Sequence, residues 1–178
     1  MRRTFAFVVS LCLAAAASPL AAGSAGRWRV DLQFSDTSTI VRFLLDQAEQ
    51  SLQDDQCRLV FSDFRDQNGR PLTERLAELN VDGPRFLHWI MWYEGNGLPQ
   101  CIREDQLAFT ERGSRVVFIC SERFKRIGFQ NPDLGRAILI HEALHSLGLG
   151  ENPPTTHEIT RQVRSRCDRA LARIRTRP

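Results

Sequence analysis

Residues 141–151 run His-Glu-Ala-Leu-His-Ser-Leu-Gly-Leu-Gly-Glu, and no other stretch limits the fold so tightly. On a helix, His141 and His145 lie four residues apart and project from one face, one turn above each other. Two imidazoles so placed can both reach a metal ion at about 2.0–2.1 Å, the usual zinc–nitrogen distance. Glu142 lies roughly 100° round the helix from His141, near enough to meet a water at the same metal. Leu134, Ala137, Ile138 and Leu144 keep helical spacing through this region, and Asn131 with Pro132 offers a cap and first helical position. So apolar a helix must be largely buried, with its histidines opening on a cleft. Gly148 and Gly150 can end the helix and reverse the chain, which returns Glu151 towards the metal.

The pattern His141-Glu142-x-x-His145-x-x-Gly148-x-x-Glu151 resembles the signature of the metzincin metallopeptidases, within the wider zincin group. In that family the third ligand is normally a His, sometimes an Asp, at the position held here by Glu151. Ser146-Leu147-Gly148-Leu149 is similar to matrix-metalloproteinase-type motifs, and Gly148 to Pro154 resembles a group of small exported bacterial proteins with metallopeptidase-like sites. The likeness spans about a dozen residues. It implies His141 and His145 as zinc ligands and Glu142 as general base. Glu151 as third ligand is chemically sound, because a carboxylate oxygen binds zinc at about 2.0–2.2 Å. Glu158, as in the gluzincin pattern, and His157 compete for that role. Thr155-Thr156-His157-Glu158 also fits a capping box that would occupy Glu158 at a helix start. One family feature is missing: metzincins place a methionine turn downstream of the motif, whereas this chain has only Met1 and Met91, both upstream.

The first 25 residues read as a secretory signal, with Arg2 and Arg3 ahead of an apolar run from Phe5 to Ala17 and small residues beyond. That run is shorter than the ~20 residues a spanning helix needs, so stable membrane insertion is not expected. Residues 26–178 are then one domain, of a size that supports a real core. Removing Arg2 and Arg3 takes the formal charge from +3 to +1, which gives no bulk electrostatic case for nucleic acid. Arginines do gather near the C-terminus, from Arg161 to Arg177, where they read as a solvated helix face. Four cysteines remain in the exported chain, none in Cys-x-x-Cys spacing, which suggests two disulfides; of three possible connectivities the favoured one pairs Cys101 with Cys120 and Cys57 with Cys167. The second would tie the last helix to the opening strand of the domain.

Periodicity predicts a helix from Ser38 to Gln53 capped by Ser35, Asp36 or Thr37, and a strand over Leu59 to Phe64. A short helix over Leu72 to Leu79 follows, then a buried strand over Phe86 to Tyr93. A weak strand over Leu107–Thr110, a turn at Arg112-Gly113-Ser114, a strand over Arg115–Cys120 and a helical turn over Ser121 to Ile127 lead to the histidine helix. This order suits an α+β domain, zincin-like, in which a mixed sheet packs against helices that include the His-Glu-x-x-His helix. By analogy with zincins, Arg115–Cys120 is the candidate edge for binding an extended peptide, with a core strand as the alternative. His88 and Tyr93 could serve an oxyanion, but a hydrogen-bonded core histidine is the simpler reading of His88. Asp63 and Asp66 read as turn polarity beside Asn68-Gly69.

The sequence thus points to an exported zinc-dependent metallopeptidase. His141, His145 and Glu151 would hold the metal with a fourth position open, and Glu142 would act as base on a peptide or protein substrate. A monomer is expected. The contrasting reading is an exported binding protein that keeps a zincin fold and a zinc site without turnover.

Overall fold

The computed structural model describes residues 28–175; the segment read as a secretory signal, residues 1–25, lies outside them. In chain order the elements are β1 (Arg29–Asp31), α1 (Ser35–Leu52), α2 (Asp55–Arg58), α3 (Val60–Asp63), α4 (Leu72–Glu78), α5 (Gly83–Leu87) and β2 (Met91–Glu94). There follow α6 (Pro99–Ile102), β3 (Ala108–Thr110), β4 (Val116–Ile119), α7 (Ser121–Gln130), α8 (Pro132–Ser146) and α9 (Thr156–Arg175). The four strands form one mixed sheet in the order β1-β2-β4-β3, with β1, β2 and β4 parallel and β3 antiparallel to β4. The class is α+β, as expected.

Helix α8 is the centre of the domain. Leu139, Ile140, Ala143 and Leu144 are fully buried on it, and it packs against α1, α7, α9 and the β3–β4 side of the sheet. Asn131 caps it by accepting from the Leu134 N–H, and Pro132 opens it, where its missing donor costs nothing. Helix α1 presents Ile40, Val41, Leu44, Leu45, Ala48 and Leu52 as one buried stripe. Two glycines set its distance from its neighbours: a Cβ at Gly128 would meet Ile40 at 2.5 Å, and one at Gly135 would meet Leu44 at 2.8 Å. A side chain at either position would have to displace the Ile40 or Leu44 side chain.

Three sequence expectations are corrected. Leu59 to Phe64 is no strand: the buried residues Cys57, Val60, Phe61 and Phe64 follow a spacing of three, one and three, which is the period of a helix. Asp54 starts that helical pair by accepting from the Gln56 and Cys57 N–H groups. Phe86 to Tyr93 begins as α5, capped by Asp82 through the Arg85 N–H with Pro84 in its first turn, and turns into strand only at Met91. The strand expected over Arg115–Cys120 forms as β4, internal and paired on both sides, so its core-strand alternative holds, and the sheet edges are β1 and β3. Helix α1 also starts earlier than expected: Phe34 is its N-cap residue, and Ser38 N–H already bonds the Phe34 carbonyl at 3.0 Å.

Both expected disulfides form, Cys57–Cys167 across 110 residues and Cys101–Cys120 across 19. Cys57 lies on α2, so the longer bridge joins two helices and not a helix to a strand. Helix α9 is held by three further devices. Ile159, Val163 and Cys167 form its buried stripe, and the fully buried Arg136 of α8 bonds Asp168 at 2.9 Å while also reaching Asp133. Arg166 pairs with Asp63 of α3 at 2.7 Å, so part of the basic helix face is paired and not merely solvated. Two disulfides fit an oxidising compartment, and among the described residues no helix is long and apolar enough to cross a membrane.

Loop-closure entropy ranks the bridges. Replacing Cys57 and Cys167 by Ser is expected to cost roughly 5 kcal/mol and replacing Cys101 and Cys120 roughly 3 kcal/mol. Urea unfolding of the two double variants measures both, and a larger loss for the 101–120 pair would refute the ranking.

Candidate metal centre

The last two turns of α8 carry His141, Glu142 and His145 into the floor of a cleft of about 390 Å³, whose far wall is the edge strand β3. Gly148 ends the helix at φ 114°, a backbone open to glycine at little cost. Leu149 and Gly150 then carry the chain back so that Glu151 faces the imidazoles. Gly150, expected to share this conformational role, has no positive φ. The Nε2 atoms of His141 and His145 are 2.9 Å apart, and Glu151 Oε1 lies 3.2 Å from His145 Nε2 and 3.6 Å from that of His141. These three residues could hold a metal ion. The edges of their donor triangle approach the ~3.4 Å separation of tetrahedral ligands with bonds of about 2.1 Å.

What fixes the donors is the set of bonds behind them. His145 Nδ1 lies 2.9 Å from the Leu149 carbonyl oxygen, which can only accept, so Nδ1 is the donor in that bond and Nε2 is the ring nitrogen turned to the cleft. His141 Nδ1 is 2.9 Å from the Thr160 hydroxyl, and the Thr156 hydroxyl donates to Glu151 Oε1 at 2.7 Å. Thr156 and Thr160 are one turn apart on α9, so a single helix face orients two of the three donors. Sequence reasoning looked to this segment for ligands and missed its supporting role. The signal was present as two threonines at i, i+4 just after the returning acid.

The other candidates fall elsewhere. Glu158 accepts from the Thr155 N–H and hydroxyl at 2.8 Å, and Thr155 Oγ1 accepts from the Glu158 N–H, which is the expected capping box. His157 is exposed. Neither joins the His141, His145 and Glu151 group. His88 stacks on Trp28 with ring centroids 4.1 Å apart and bonds Glu49, and Tyr93 meets Met91; neither lines the cleft. Asp66 accepts from the Asn68 and Arg70 N–H groups, as turn polarity implies.

Electrostatically the site is divided. The adjoining His141 imidazole, then the Thr156 hydroxyl and His145, hold the Glu151 carboxyl down at about 2 despite its partial burial. Burial lowers the pKa of His141, more than Glu151 raises it, so the ring is neutral and ready to donate a lone pair. Glu142 is the opposite case. Burial, reinforced by the charge of Glu151, pushes its carboxyl up to about 8, and its Oε2 has no hydrogen-bond partner.

In metal-free protein this gives a definite pH signature. The folded value for Glu142 exceeds the unfolded one, so folding takes up a proton above about pH 4.5. The resulting cost is absent below that pH, grows through neutrality and levels off above about 8. Glu142→Gln removes it, so the chelator-treated variant should be more stable than wild type by about 2–3 kcal/mol at pH 7 and equal at pH 4. Urea midpoints at the two pH values check this. Thr160→Val should weaken metal affinity, titrated with zinc, by roughly 10–100-fold with little loss of fold stability; unchanged affinity would remove Thr160 from the support of His141.

No protein-family model, no curated protein and no solved structure matches the chain.

Proposed function

We propose that this protein is an exported zinc-dependent peptidase, with His141, His145 and Glu151 as metal ligands and Glu142 as general base. The observation that carries the reading is the convergence of three donor atoms, 2.9 to 3.6 Å apart, beside a buried carboxylate with an unpartnered oxygen in one cleft. Three protein donors leave a tetrahedral ion one position for substrate, whereas a purely structural zinc normally takes four. The donor set of two imidazoles and a carboxylate suits zinc.

When bound, zinc would supply Lewis acidity, lowering the pKa of a water and polarising the scissile carbonyl. Glu142 takes the proton of the attacking water and returns it to the leaving amine, a task that needs hydrogen-bond reach of about 2.6–3.2 Å. Its oxygen without a protein partner is available for that exchange. Thr160 and the Leu149 carbonyl keep both rings turned with Nε2 towards the cleft, and Thr156 keeps Glu151 from swinging into solvent.

An extended peptide suits the opposite wall. Cys120 N–H bonds the Leu107 carbonyl at 3.0 Å, and alternation along an antiparallel ladder then turns the N–H and C=O of Ala108 and Thr110 outward from the sheet. The Ala108 carbonyl accepts from the Gln106 side chain, so the Ala108 N–H and the Thr110 groups are those that could receive a substrate strand. The arrangement of a buried metal helix beneath a mixed sheet with an antiparallel edge supports a zincin-like fold. Among the described residues Met91 is the sole methionine, so a methionine turn forms no part of this reading. The disulfides and the N-terminal segment support export.

Metal content by mass spectrometry, together with digestion of a proteome-derived peptide library, tests the proposal. Wild type and Glu142→Gln should each hold one zinc while only wild type cleaves; His145→Ala should lose the metal. Glu151→Ala should lose zinc affinity, and Glu158→Ala should keep it. Equal zinc in wild type and His145→Ala would overturn the ligand assignment, and full cleavage by Glu142→Gln would overturn the role of the base.

A further inference from the structure

The cleft wall carries a cation with no ion-pair partner among the described residues. Arg112 sits in the β3–β4 turn and lines the same cleft as His141, Glu142 and His145. Its place is fixed by backbone: the Gly113 N–H donates to the His145 carbonyl at 2.8 Å, which ties the turn to the last turn of α8. The guanidinium lies over Gly150, where an added Cβ would be 3.1 Å from Cζ and from Nη2. Gly150 has no positive φ, so the bare Cα there serves space for Arg112 and not backbone freedom.

Its charge is unspent. The hydrogen bond it makes among the described residues is to a neutral group, the Gln67 side-chain oxygen at 3.2 Å. Neighbouring arginines are engaged: Arg70 pairs with Asp66 and Glu78, and Arg75 with Glu78. At the other end of β3, Arg103 meets Asp105 at 3.7 Å. Glu151 is close along the chain, yet its carboxylate turns to the imidazoles, and no ion pair joins it to Arg112. A guanidinium is a planar fork of donors that matches a carboxylate, and a free one beside a reaction centre is a receptor for one.

We propose that Arg112 forms a carboxylate-binding subsite beside the metal centre, so that the preferred ligand is a peptide presenting a carboxylate to the Gly150 side of the cleft. The peptide nature of the ligand rests on the peptidase reading; the carboxylate preference rests on Arg112 alone. An acidic side chain and a free C-terminus supply the same chemistry, and they make different enzymes: one cuts near acidic residues, the other trims chain ends.

Fluorescence anisotropy with the zinc-loaded Glu142→Gln protein measures binding without turnover. The probes are labelled alanine-based peptides of one length: neutral with an amidated end, neutral with a free end, and glutamate-bearing with an amidated end. At least one carboxylate-bearing probe should bind roughly tenfold tighter than the neutral amide, as for a charge-assisted hydrogen bond. Which of the two does so identifies the source. Arg112→Gln should abolish the preference while zinc content and neutral-probe affinity stay put. Arg85→Gln, the same charge change on α5 outside the cleft, should preserve it. Equal binding of all probes, or a preference that survives Arg112→Gln or vanishes equally in Arg85→Gln, would overturn the proposal. Failure of the peptidase reading shows separately, as no cleavage of any library peptide by zinc-loaded wild type.

Discussion

Everything in the cleft depends on holding two imidazoles and a carboxylate against one another inside a protein. Left alone, such groups would turn away, each seeking solvent or a better partner. Here each is restrained from behind. The Leu149 carbonyl and the Thr160 hydroxyl take the Nδ1 sides of the rings, and the Thr156 hydroxyl takes the carboxylate. With those outer bonds made, the remaining lone pairs point to one place. Preorganisation of this kind spares an incoming metal the cost of ordering its own ligands.

The restraint comes from two helices, and so the junction between them matters more than either alone. Helix α8 supplies the rings, and α9 supplies the hydroxyls that orient one ring and the returning acid. The buried Arg136–Asp168 pair, the Cys57–Cys167 bridge and the apolar stripe of Ile159 and Val163 keep α9 in place along its length. A buried arginine would be a liability without its partners, because an unpaired charge in the interior costs several kcal/mol, on the order of 3–5. Its presence binds the register of α9 to that of α8, and the register decides whether Thr156 and Thr160 reach the site at all.

Two carboxylates one helix turn and one loop apart are driven to opposite states by their surroundings. Glu151, partly exposed and hydrogen-bonded, stays charged; Glu142, dry and unpartnered, holds its proton in the metal-free protein. That division of labour is what a metal-assisted hydrolysis needs, one carboxylate as a fixed anionic ligand and one as a mobile proton carrier. Arg112 adds a third element on the same rim, a guanidinium whose hydrogen bond goes to the neutral Gln67 side chain.

Much of this was legible in the chain. Four-residue spacing of His141 and His145, the Asn131-Pro132 start, the glycine at 148 and the capping box at Thr155 are local rules, so the motif helix, its end and the next helix start could be read directly. Four cysteines allow three connectivities, and the favoured pairing is the one the fold adopts. Local reading failed where apolar residues admit two periods. Leu59 to Phe64 is rich in strand-forming side chains, yet Cys57, Val60, Phe61 and Phe64 are buried at helical spacing because the bridge to α9 fixes which face turns inward. The glycine turn already pointed to Glu151 as the acid that meets the imidazoles, with Glu158 and His157 set aside only by the fold. Which strands lie at the edges, and that two threonines and one arginine surround the site, were decided by tertiary structure alone. Sequence spacing determines what a single helix presents; partners drawn from separate elements are chosen only when the core packs and sets the distance between those elements.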